Sequence, residues 1–210
     1  MDQYFNQCFS INEVFQLMKL TFVVHVSGSP GSGKTTLIDM LKEQMPDLYA
    51  VDTDEILEDH DPLVIKMRTF KQETQEFVEA WKIAVRTNVQ RQIKIATENG
   101  YRCIVLAGIL NNMGGPLGGI VDISDIVRYK YFLVPPLPTL LRRFYVRYET
   151  LKDDTEFWDG VASGIYPIPS SEDYKKLHKS EKEWHVNHGY ILTNSQEKII
   201  EEIKKICERN

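Results

Sequence analysis

Short β-branched apolar runs alternate along the chain with longer stretches in which apolar residues recur every three to four positions. Phe22–Val26 is the first such run and reads as a buried strand, preceded by a short amphipathic stretch at residues 11–19 that fits a helix. Residues 35–44 have helical periodicity, Pro46 ends them, and a second strand starts at Tyr49 and runs into VDTDEI, completing a βαβ unit. Between Asp61 and Asn99, Phe70, Phe77, Trp81, Val85, Val89 and Ile93 recur at mostly helical spacing, which fits one long helix or two in series. Gly100 closes that stretch. Cys103–Leu106 reads as a third strand, Tyr129–Val134 as a fourth after a glycine-rich loop, and Tyr190–Leu192 as a fifth. Helical patterns fill residues 139–151, 172–188 and 196–208.

Strand and helix alternate throughout, so the expected fold is α/β: a five-stranded parallel sheet sandwiched by helices. No linker divides the 210 residues, and one domain over 1–210 is expected, with a helical acceptor-side insertion at 61–99 and a lid at 148–171. The lid reading rests on the polar, Gly- and Pro-containing stretch from Asp153 to Ser171, because the fifth strand must return to the same sheet.

Composition changes the picture only by exclusion. A formal charge of −5 offers no broad attraction to nucleic acid or anionic lipid, although a local basic patch is compatible with it. Cys8, Cys103 and Cys207 lack metal-ligand spacing and read as reduced structural thiols. The acidic, polar N-terminal residues do not resemble a signal peptide, and no run approaches the length of a membrane span, so a soluble cytoplasmic protein is expected.

The chemistry is concentrated in Gly28–Thr35, GSPGSGKT, which satisfies G-x-x-x-x-G-K-[ST] between a strand and a helix. In that context Gly28, Ser29, Pro30, Gly31, Ser32 and Gly33 curl the backbone so that N–H groups cradle phosphates at a helix N-terminus, and Thr36 extends the first helical turn. Lys34 bridges β- and γ-phosphates, and Thr35 supplies a hydroxyl to Mg2+, so a nucleoside triphosphate with Mg2+ is expected in the loop. Asp52 and Asp54 fall at the carboxyl end of the second strand, expected next to the P-loop strand on the same sheet edge. Asp52 is assigned to the metal side and Asp54 to the acceptor hydroxyl; the competing reading makes DTDE an acidic helix cap.

GSPGSGKTT, DTD, a strand ending in AG and an Arg-bearing helix, in that order, resemble the P-loop kinases typified by shikimate, gluconate and adenylate kinases. The GxPGSGKT spelling is also similar to the kinase domain of polynucleotide kinases. The resemblance implies Lys34 and Thr35 on ATP and magnesium, Asp54 on the acceptor, and Arg143 and Arg147 as lid arginines. Their i, i+4 spacing puts both guanidinium groups on one helix face, a placement that a solvated basic helix would share. The third strand ends in Ala107 and Gly108 without a carboxylate, which speaks against switches and motors; Gly108, Asn111, Asn112 and Arg68 become candidate acceptor contacts, against an ordinary turn for the two asparagines and a solvent-facing position, the default, for Arg68. The expected partners are therefore ATP and a hydroxyl-bearing acceptor: a nucleoside, nucleotide or small metabolite, alternatively DNA or RNA. A non-catalytic ATP-binding regulator is the reading of another class, and it leaves DTD without a task.

Overall fold

The apolar run Phe22–Ser27 forms β1, buried along its whole length. The computed structural model describes residues 21–53, 74–108, 121–150 and 170–208. The expected helix at 11–19, the glycine loop after Met113 and residues 151–169 of the expected lid lie outside the described residues. After β1 come α1 (Lys34–Gln44), β2 (Tyr49–Asp52), α2 (Gln75–Glu98), β3 (Cys103–Ala107) and β4 (Tyr129–Leu133). They are followed by α3 (Leu137–Thr150), α4 (Ser171–Asn187), β5 (Ile191–Thr193) and α5 (Gln196–Glu208).

The five strands make one parallel sheet in the order β2-β3-β1-β4-β5. This corrects the expectation that the P-loop strand and the DTD strand are neighbours, since β3 lies between them, with Val26 opposite Ala107 and Ala107 opposite Asp52. The reason is burial. β1 and β3 are buried on both faces and occupy interior positions, whereas β2 alternates half-buried and buried residues, as suits an edge.

Side-chain alternation in β1 divides the core. Val24 and Val26 meet Leu37, Ile38 and Leu41 of α1 and Ile199, Ile200 and Ile203 of α5 on one face. Val23 meets Val85, Val89 and Ile93 of α2, with Ile104 and Leu106 of β3, on the other. Each such buried aliphatic side chain contributes about 1.5–3 kcal/mol. A third cluster, Leu140, Phe144 and Tyr174, joins α3 to α4 at the top of the sheet.

Local signals set the helix ends. Thr74 caps α2 by accepting from Phe77 N–H at 3.2 Å, and Ser170 with Asp173 forms a reciprocal capping box on α4. α3 begins at Leu137, two residues before the sequence pattern placed it, because Pro138 fits the first helical turn, where no intrahelical N–H is needed. No described helix is long and apolar enough to cross a membrane.

Candidate functional site

At the carboxyl edge of the sheet the chain leaves β1, passes through Gly28–Gly33 and enters α1 at Lys34. Gly33 is the N-cap, with φ 97°, a left-handed conformation open to glycine, and it offers no side-chain oxygen to the first turn. The first-turn N–H groups of α1 therefore have no side-chain cap from this residue, the arrangement that suits an anion. Ser29 and Ser32 are buried, and Ser32 N–H donates to Ser29 O at 3.0 Å, closing the loop on itself. Lys34 Nζ donates to Gly28 O at 2.6 Å and reaches Ser29 O at 3.4 Å, so the ammonium lies along the loop. Thr35 and Thr36 are exposed on the first turn. Thr35 Oγ1 donates to Asp52 Oδ2 at 3.1 Å, across the intervening β3.

Three later helices wall the loop. From α3, Arg143 Nη1 donates to Gly31 O at 3.3 Å and approaches Ser32 O at 3.5 Å. Arg147, one turn on, is exposed and has no hydrogen bond to the loop among the described residues, so the structure brings one of the two expected lid arginines to the cradle. From α5, Gln196 Nε2 donates to Gly33 O at 2.6 Å. From α4, Tyr174 Oη donates to Pro30 O at 2.6 Å, and Ser29 Oγ donates to Glu181 Oε2 at 2.6 Å while lying 2.7 Å from His178 Nδ1.

Tyr174, His178, Glu181 and His185 follow i, i+4, i+7 and i+11, a polar stripe on one face of a Lys-rich helix. Sequence reading passed over it, although its period was legible. Burial raises the Glu181 carboxyl to about 7, against the Ser29 hydrogen bond and the Lys34 charge, which favour its ionised form. Burial lowers His185 to about 4, and its Nδ1–H donates to Glu181 O at 2.6 Å. Burial likewise lowers His25, on β1, to about 3. Its Nε2 lies 2.9 Å from Gly108 O, an acceptor only, so Nε2 carries the proton and Nδ1 accepts from Tyr190 Oη at 2.6 Å.

At the ends of β2 and β3, Asp52 is buried, and Thr53 N–H extends the ladder to Ala107 O at 2.7 Å. Gly108 N–H donates to Val26 O at 3.0 Å, and a Cβ on Gly108 would lie 1.5 Å from Thr53 Oγ1, so only glycine lets the two strand ends meet. Asp54, Arg68, Asn111 and Asn112 lie outside the described residues. Beside the loop, a cavity of about 490 Å³ is floored by Val134, Pro135 and Pro136 and bordered by Lys175, Lys179 and Lys182 of α4.

A model of the Zeta toxin family matches residues 18–112, a little under half of the chain and the part that carries the P-loop, DTD and Gly108. No curated protein matches the sequence significantly. Among solved structures, TT1252 from Thermus thermophilus is similar at 14% identity and TM-score 0.50, over 90% of this chain and 97% of that one. Shikimate kinase from Bacteroides thetaiotaomicron is 14% identical over 89% of this chain and 96% of its own, with TM-score 0.42. With the P-loop motif seated between β1 and α1 in a five-stranded parallel sheet, the chain has a P-loop α/β fold.

Proposed function

We propose that the chain is an ATP- and magnesium-dependent phosphotransferase that moves the γ-phosphoryl group to a hydroxyl of a nucleoside, nucleotide or other small metabolite. One observation carries the reading: Thr35, directly after the P-loop lysine, is hydrogen-bonded to the buried Asp52 at 3.1 Å. An alcohol and a carboxylate oxygen are the hard donors that Mg2+ takes, and that ion commonly uses one or two protein oxygens together with substrate phosphates. Thr35 and Asp52 would hold it, directly or through water. Bound there, magnesium would offset charge on the phosphate oxygens.

The chain's own groups would do the rest. Backbone N–H groups of Gly31–Thr36 would hold phosphate oxygens, and Lys34 would turn from the loop carbonyls to bridge the β- and γ-phosphates. Arg143, already on the loop, would stabilise the transferring group. Asp54, two residues beyond Asp52, would accept the proton of the attacking hydroxyl. The Zeta toxin match spans these donor-side positions as far as Asp54 but stops before Arg143.

A second reading, a hydroxyl on an oligonucleotide, is favoured by the lysine border of the cavity at the ends of β4 and β5. Incubation with γ-labelled ATP and a panel of nucleosides, nucleotides, small alcohols and 5′-hydroxyl oligonucleotides tests both. Label on a small acceptor supports the first reading and label on the oligonucleotide the second. ATP binding without labelled product from any acceptor would point to a non-catalytic nucleotide binder.

A further inference from the structure

The face of α4 that meets the phosphate cradle is polar and nearly dry. Glu181 is 3% exposed and Ser29 fully buried, yet they share a 2.6 Å hydrogen bond in which one carboxylate oxygen, Oε1, has no partner among the described residues. The same Ser29 hydroxyl lies 2.7 Å from His178 Nδ1. Leaving a buried carboxylate oxygen unpaired is costly while the group is ionised and much less so when it is neutral. Glu181 is therefore poorly explained as a structural anchor, a task that an amide would perform without the charge.

We propose that Glu181 is a positioning residue for the cradle, acting through a reversible Glu181–Ser29–His178 proton relay, so that nucleotide phosphates and one proton bind together. The proposal rests on the reading that the loop takes nucleotide phosphates. Ser29 has one hydroxyl proton for two close neighbours. With Glu181 ionised, Ser29 donates to Oε2 and its oxygen accepts from His178 Nδ1–H. With a proton on Oε2, Glu181 donates to Ser29, and Ser29 donates to a bare Nδ1. His178 keeps one proton throughout, exchanged through solvent from Nδ1 to Nε2, and the net change is one proton taken up by Glu181.

The surroundings suit this exchange. Lys34 is the charged group that acts on Glu181 from outside α4, while Tyr174, His178 and His185 share its helix face, with His25 beyond His185. Burial and Lys182 lower His178, keeping it neutral and tautomeric near pH 7. Burial holds Glu181 at about 7, close to balance. Phosphates arriving on the loop draw Lys34 toward themselves and add negative charge beside Ser29, and both effects favour the protonated carboxyl. By linkage, raising the pH must weaken nucleotide binding.

The test is MgADP binding to the full chain by calorimetry from pH 6 to 9, in buffers of different ionisation enthalpy, for wild type and Glu181→Gln. The amide keeps a hydrogen bond to Ser29 and cannot titrate. Relative to Glu181→Gln, wild type is expected to take up as much as one extra proton and to lose up to about tenfold in affinity per pH unit above 7. Equal proton uptake and equal pH profiles would overturn the relay while leaving nucleotide binding intact. MgADP binding to neither protein would overturn the nucleotide reading and the relay with it. A second readout needs no variant: nitrogen-15 shifts of His178 should report an Nδ1–H tautomer in the free protein above pH 8 and Nε2–H with MgADP. An unchanged tautomer overturns the relay.

Discussion

Thr35→Val removes one oxygen from the cradle and leaves the shape of the side chain in place. Thr35 is exposed, so no core packing is lost. Its hydroxyl donates to Asp52 Oδ2, and Asp52 has further interactions, so the stability cost is expected to be no more than about 1 kcal/mol. The loss on magnesium binding is larger. An oxygen contact to a charged group contributes about 1.5–3 kcal/mol, and at about 1.4 kcal/mol per decade this is roughly 10- to 150-fold. The quantity to measure is the ratio of ATP affinities with and without Mg2+, because it needs no acceptor and cancels contacts that do not involve the ion. Thr35→Ser should keep the wild-type ratio, and Thr35→Val should lose one to two decades of it. An undiminished ratio in the valine variant would refute the assignment of Thr35 to the metal.

Three further outcomes are expected. Asp54→Asn should cut phosphoryl transfer by about 10²–10⁴-fold while ATP affinity, read by fluorescence titration, stays within a few-fold. Gly108→Ala should destabilise the protein by about 1–3 kcal/mol in urea unfolding, because its Cβ would meet Thr53 Oγ1 at 1.5 Å and Thr53 Cβ at 2.8 Å; adding Thr53→Gly should recover most of the loss. Acid should destabilise the fold early. His25 and His185, lowered by burial to about 3 and about 4, stay neutral in the folded protein while the unfolded chain gains protons below about 6.5. The stability they confer is complete above that pH and is lost as pH falls toward 3, by up to about 1.4 kcal/mol per pH unit for each histidine. Urea midpoints between pH 7 and 4.5 should show this slope, and it should be shallower in a His25→Gln variant.

The P-loop half of the candidate site was legible because its requirements are local. A buried β-branched run, a glycine loop and a helix start are contiguous from Phe22 to Gln44, and each is written in residue types that few other structures need. Strand order was not legible in the same way. Whether β3 inserts between β1 and β2 is decided by which strands are buried on both faces, and Cys103–Ala107 had to be weighed against Tyr49–Asp52 rather than read alone. The arginines show the limit of periodicity: Arg143 and Arg147 share a helix face by spacing, but helix α3 runs past the loop, and only Arg143 is level with Gly31. The polar stripe on α4 was visible as a repeat at 174, 178, 181 and 185, yet its meaning depends on Ser29 and Pro30, more than 140 residues away.

That distance has a consequence for how the protein is made. The P-loop motif is synthesised early, but its walls come at separations of 112 residues for Arg143, 144 for Tyr174, 152 for Glu181 and 163 for Gln196. During translation the glycine loop must wait for these distant side-chain partners until Gln196 has emerged. Parallel pairings of this kind form slowly, because loop closure precedes any contact that rewards it. The cradle is thus among the last features to assemble. A chain truncated before α5 would still spell the P-loop motif while lacking the wall that Gln196 gives it.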